Sequence, residues 1–166
     1  YVMNALNKPL LYVRGNHDKI SEYSGKVMRT HPHGGIDLHR QVMCINGYLV
    51  AGVEGCLRYR VGHYQYTQNE MWGHVFSLVP KMIYYRAVTG RYLDIFVTHA
   101  PPVSIHDSDD LPHMGISAYR WLLNVFCPTY HLHGHIHRYN PEDERITVYN
   151  KSCVINTYPY YDLDMK

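Results

Sequence analysis

Charge is scarce in this 166-residue chain: Asp, Glu, Lys and Arg together make up 18% of it. Sixteen Lys and Arg against fourteen Asp and Glu leave a formal net charge of +2. That bias is too weak to argue for a nucleic-acid or membrane surface. No apolar run approaches the length of a membrane span, and no signal peptide is recognisable. Cysteines are few, and Cys44, Cys56, Cys127 and Cys153 form no CxxC pair. Their spacing argues against a cysteine-based zinc site. Set in or beside apolar runs, they read as buried free thiols in a reducing, cytoplasmic compartment. An initiator Met is missing too. The chain opens YVMNALNKPLLYV, which reads as entry part-way through a domain. Low-complexity segments, internal repeats and a disorder signature are all absent.

What is present suits one globular domain over residues 1–166, with hydrophobic content of 46% and enough length to bury a core. Two residue types are abundant, 13 His and 17 Tyr. Histidine is the commonest metal ligand and titrates near neutrality, so the excess directs attention to where it concentrates.

The pattern predicts buried strands at 9–14 (PLLYVR), 92–97 (YLDIFV) and 129–133 (TYHLH). QVMCI (41–45) and YLVAGV (48–53) predict a hairpin across Asn46-Gly47. A second hairpin is expected from 146–150 and 153–156 across Lys151-Ser152. Thr67 and Glu70 fit a capping box. Met71, Val75, Leu78, Met82 and Arg86 follow at helical spacing, widened by Val79 and Ile83. Pro80 is expected to kink or split that helix, and Gly90 to end it. A second short helix is expected over 117–126. Residues 21–37, 55–66 and 103–114 read as irregular. Helices and strands alternate in the middle of the chain, between flanking hairpins, which gives a mixed α/β sandwich.

Three histidine-bearing turns follow three of these strands. Gly15-Asn16-His17-Asp18 comes first. Its glycine permits a sharp turn, Asn16 offers a neutral oxygen ligand, His17 can act as general acid, and Asp18 can orient that imidazole. An ordinary strand-end turn is the plain alternative. Thr98-His99-Ala100-Pro101-Pro102 comes second, and a lone His there is otherwise a capping residue paired to backbone. The third is HLHGHIH (131–137), with a histidine at every second position. His131 and His133 share one face of a strand, and His135 and His137 follow a glycine turn. Imidazoles two residues apart can reach two metals about 3.5–4 Å apart, as in binuclear phosphoesterase sites. An adventitious His-rich loop is the alternative for that stretch alone, but the three turns together point to a metal site.

In these blocks the sequence resembles the calcineurin-like metallophosphoesterase superfamily, whose pattern runs DxH, GD, GNH[DE], a lone His, then GHxH. The last three stand here as Gly15–Asp18, His99 and Gly134–His137. The wording THAPP (98–102), IHD (105–107) and LHGHIH (132–137) looks like a bacterial branch. The resemblance implies a β-sandwich flanked by helices. It also implies hydrolysis of phosphomonoesters or phosphodiesters by a binuclear centre of two divalent ions (Mn, Fe or Zn). Asn16, His99 and His135 would bind one metal and His137 the other. His17, partnered by Asp18, would protonate the leaving alkoxide.

The first two family blocks are missing. Only fourteen residues precede Gly15, and no DxH lies among them. Asp37-Leu38-His39 spells DxH but follows GNHD, and Asp94 lies on a later strand. The fold is therefore expected to lack the N-terminal βαβ portion, and this chain alone to hold at most one metal well. The chain is read as the C-terminal part of an enzyme whose remainder is a missing segment or a complementing chain. The alternatives are an inactive phosphoesterase domain kept as a binding or scaffold module, one that binds a single metal without turnover, and a nuclease. A phosphate-ester substrate is expected, with no membrane partner and no nucleic acid on the charge balance. His106, Asp107 and His33 are candidate substrate or accessory groups beside the site, His33 within a HPHGG lid. Arg58, Tyr59, Arg60, Tyr64 and Tyr66 could clamp a phosphate or stack on a base, or simply cover the core.

Overall fold

A computed structural model describes residues 8–24, 27–29, 32, 34–137, 142 and 144–165. Its centre is a six-stranded mixed sheet in the order β11-β12-β10-β9-β6-β5. The four inner strands, β6 (Tyr48–Val53), β9 (Ile95–Thr98), β10 (Tyr130–His133) and β12 (Ser152–Asn156), run parallel. The edges, β5 (Gln41–Ile45) and β11 (Ile146–Tyr149), pair antiparallel through the two expected hairpins, the second turning at Asn150-Lys151 rather than at Lys151-Ser152. Asn46 and Gly47 take φ of 51° and 84°, the doubly positive turn that suits a two-residue hairpin.

Parallel neighbours need crossovers, and helices supply two of them. Helix α1 (Gln68–Thr89) joins β6 to β9, and α2 (Ser117–Phe126) joins β9 to β10. The Thr67–Glu70 capping box is formed, and Gly90 closes α1 at φ 77°. Met71, Val75, Leu78 and Met82 are fully buried against Leu49, Ala51, Phe96 and Tyr119. Ile83 does not widen that stripe, being 56% exposed. Pro80 does not split the helix either: it sits on the exposed face, within one continuous 22-residue element.

The other face of the sheet is covered by a two-stranded layer of β1 (Leu10–Tyr12) and β4 (Gly35–Asp37). Leu11, Val13 and Leu38 pack there on Val50 and Ile95. Segment 21–37 is less irregular than its polar, glycine-rich composition suggests. Besides β4 it forms β2 (Glu22–Ser24) and β3 (Val27–Arg29), paired with each other. Within 55–66, β7 (Cys56–Leu57) and β8 (Gln65–Tyr66) pair in parallel. The result is a central mixed sheet with helices on one face and a short strand layer on the other. Of the cysteines only Cys56 is buried; Cys44 is exposed on edge strand β5. Among the described residues no helix is long and apolar enough to cross a membrane.

Candidate functional site

Register places the site. Val53, Thr98, His133 and Asn156 stand level at the carboxyl ends of the four parallel strands. The residues that follow each strand therefore emerge at one edge of the sheet, the usual location of sites in open α/β folds. β1 joins this edge from the second layer, because Gly55 N donates to Arg14 O at 2.8 Å. Asn16 and His17 leave β1, His99 leaves β9, and His135 and His137 leave β10. All five line one cleft of about 400 Å³, together with Tyr59, Pro112, His113 and Tyr158.

Asn16 is buried, and its Nδ2 donates to Tyr59 Oη at 2.9 Å. That contact turns Oδ1 toward His99, whose Nε2 donates to it at 2.9 Å. The His99 ring packs so tightly on Gly15 that a Cβ there would lie 2.5 Å from His99 Cε1. This is the reason for glycine at that position, since its φ lies outside the left-handed region. The rings of His99 and His135 stand 4.6 Å apart, and those of His135 and His113 5.3 Å apart. His135 has φ 67° and donates from Nε2 to Pro112 O at 2.7 Å. His137 stacks on Tyr158, 4.2 Å between centroids. Asp18 Oδ2 accepts from Gly15 N at 2.6 Å, tying the loop onto itself, and His17 is exposed beside it.

Burial, reinforced by His135 and His17, lowers the His99 pKa to about 3. Burial lowers His135 as well. Both imidazoles are thus neutral at physiological pH, the state in which histidine binds metal. Asn16 Oδ1 and His99 Nε2 are separated by about the distance between adjacent ligands of a six-coordinate divalent ion with bonds near 2.1 Å. Asn16, His99 and His135 therefore fit one ion, once His135 leaves the Pro112 carbonyl. For a second ion the described cleft lining offers only His137. Among the described residues no group of three or more His, Cys, Asp or Glu could hold a metal, and no carboxylate lines the cleft. Of the carboxylates at this edge, Glu54 is occupied by Tyr66 Oη at 2.7 Å and by Arg14.

The remaining candidates lie elsewhere. His131 and His133, which share a strand face as expected, are buried under α2 rather than aimed at the cleft: His131 stacks on Phe96 and bonds Thr98 Oγ1 at 2.9 Å. His106 bonds His133 and Thr147, and Asp107 accepts from Gly115 N; neither lines the cleft. Asp37 pairs with Arg14, and Asp94 with Leu49 N and Arg91. His33 lies outside the described residues. Of the aromatic and basic stretch only Tyr59 reaches the cleft, while Arg58 pairs with Glu70. Tyr158 joins the cleft without a sequence signal of its own, and His113 joins it from the histidine- and aspartate-rich loop 104–114.

The profile of the family described as Metallophos, calcineurin-like phosphoesterase, matches residues 1–139. No curated protein matches the chain significantly. One crystal structure matches at 14% identity and a TM-score of 0.48, covering 75% of this chain and 46% of its own. The crystal structure of TT1561 of Thermus thermophilus matches at 20% identity and a TM-score of 0.46, covering 73% of this chain and 48% of its own. This chain thus spans about half the length of those structures.

Proposed function

Because this chain belongs to the calcineurin-like phosphoesterase family, we propose that it contributes to the metal-dependent hydrolysis of phosphate esters at the cleft between its strand ends. The observation that carries this is the convergence of Asn16, His17, His99, His135 and His137, from three separated segments, on one cleft. Asn16, His99 and His135 are assigned to one divalent ion. His137, braced on Tyr158, is assigned to the far wall, where a second ion or the phosphate would sit. The chemistry a bound divalent ion supplies is polarisation of a phosphoryl oxygen and neutralisation of its charge. His17 has the exposure to meet the ester oxygen and give it a proton as the P–O bond breaks. Such general acid catalysis is worth roughly 10²–10⁴-fold. Asp18 holds the loop that carries His17 through the Gly15 N–H. The negative charge a two-ion centre needs is not in the cleft lining, so a complementing chain or segment is its proposed source.

One observation favours a second reading. A cleft walled by imidazoles, Asn16 and tyrosines, without a carboxylate, suits a module that binds a phosphate ester or one ion without turnover.

The test combines intact mass of the native protein, calorimetric titration with Mn²⁺, and Mn²⁺-dependent hydrolysis of p-nitrophenyl phosphate and bis-p-nitrophenyl phosphate. Turnover that His17→Ala reduces at least a hundredfold supports the hydrolase, and the preferred ester separates monoesterase from diesterase or nuclease chemistry. One bound ion with no turnover supports the binding module. No bound ion overturns the metal assignment.

A further inference from the structure

Below the cleft, a line of hydrogen bonds runs from the sheet edge to the turn that carries His135. Its polarity can be worked out end to end. His133 Nδ1 stands 3.0 Å from Gly134 O, and a carbonyl only accepts, so Nδ1 carries the proton. A neutral imidazole carries one ring proton, so with Nδ1 protonated Nε2 is a lone pair. His106 Nδ1, 2.9 Å away, must then donate to it. In a neutral His106 ring Nε2 is then the acceptor for the Thr147 hydroxyl at 2.8 Å. The direction is Thr147 to His106 to His133 to the Gly134 carbonyl.

That carbonyl also accepts from Ile136 N at 2.7 Å, and Gly134 N donates to His99 O at 3.1 Å. The peptide units leading into His135 are thus tied to both neighbouring strand ends. They need tying, because His135 sits at φ 67°, in a region that non-glycine residues hold only where their surroundings impose it. His106 is itself at φ 60°, drawn from the loop after β9 into a contact with β10 and β11.

We propose that His106 is a positioning residue: acting through His133 and the Gly134 carbonyl, it fixes the turn that aims His135 into the cleft. The metal part of the inference rests on the reading above, in which His135 is a ligand; the positioning part does not. His106 touches neither ion nor substrate.

The test uses His106→Ala, His106→Asn and Thr147→Val in the full chain. Asn keeps a donor toward His133 and tolerates positive φ, so it serves as the rescue. The first readout is amide hydrogen exchange of the metal-free protein. His106→Ala should speed exchange at Gly134 and Ile136 at least about tenfold while Leu132 stays protected, a local opening rather than a global one. The second is the Mn²⁺ dissociation constant by calorimetry, expected to weaken roughly 10- to 100-fold in Ala and to stay near wild type in Asn. Unchanged exchange at Gly134 and Ile136 in Ala overturns the proposal, as does an Asn variant no better than Ala. Should Ala fail to fold, Thr147→Val decides. It removes only the terminal hydroxyl, and a smaller rise at the same two amides is expected, whereas no rise overturns the proposal. Should the wild type bind no Mn²⁺, the metal reading falls, and the exchange experiment alone settles the positioning.

Discussion

Replace Gly15 by Ala and the new Cβ stands 2.5 Å from His99 Cε1, 2.7 Å from Nδ1 and 2.9 Å from Nε2. Ordinary contact begins near 3.4 Å, so the imidazole must retreat by nearly 1 Å. The obstacle is a side chain and not backbone, so the fold can absorb the change. A loss of about 1 kcal/mol, the low end of overpacking, is expected. The site cannot absorb it. The retreat stretches the 2.9 Å contact between His99 and Asn16 and presses His99 on His135, whose ring is already 4.6 Å away. Misplacement by 1 Å can lower activity about a hundredfold, and a comparable loss is expected in kcat/KM for p-nitrophenyl phosphate or in Mn²⁺ affinity. The measurements are urea denaturation for stability, with calorimetry and steady-state kinetics for the site. Gly73→Ala is the control, because a Cβ on that helical glycine meets nothing within 4 Å. It should gain roughly 0.5–1 kcal/mol without touching function. A Gly15→Ala protein with wild-type affinity and turnover would refute the placement of His99.

Three further outcomes are expected. Leu78→Ala, at a fully buried position on α1, should lose about 2–5 kcal/mol in urea denaturation. Thr67→Ala removes the α1 capping box and should lose roughly 0.5–2 kcal/mol by the same measurement. The metal-free protein should melt at progressively lower temperature between pH 6.5 and 4. Burial lowers the His39 pKa to about 4 and holds His131 well below its usual value. Across that window the unfolded chain binds more protons than the folded one. Stability therefore rises with pH, is complete above about 6.5, and falls on acidification by up to about 1.4 kcal/mol per unit for each such group. A flat melting temperature from pH 7 to pH 5, with His39→Gln making no difference, would show that His39 is not held neutral.

The three histidine-bearing turns were legible because their chemistry is local. A glycine or proline at a strand end, with imidazole beside it, announces a histidine-bearing turn at a sheet edge. The helices were legible for the same reason, since the capping box and the Met71-Val75-Leu78-Met82 stripe are patterns within one segment. Roles that depend on partners far along the chain were not. His131 and His133 repeat the spacing of His135 and His137, yet they face the helices because β10 alternates its side chains about the sheet. His106 read as a substrate or accessory group beside the site, whereas its partners, His133 and Thr147, lie 27 and 41 residues away. The strands within 21–37 were not legible because each is only three residues long, too short to show a period, and β4 is specified by its pairing with β1.

The Asn16–His99 contact links residues 83 positions apart, and His135 follows later still. At a synthesis rate of about 5–20 residues per second, Asn16 leaves the ribosome roughly 6–24 s before His135. During that interval Asn16 has neither His99 nor His135 to meet, its later partners not yet being made. On the proposed metal reading, the order of the ligands along the chain would act as a timer: ion capture would wait until the parallel strands have been laid side by side. Metal occupancy, on that reading, would record that the topology has closed.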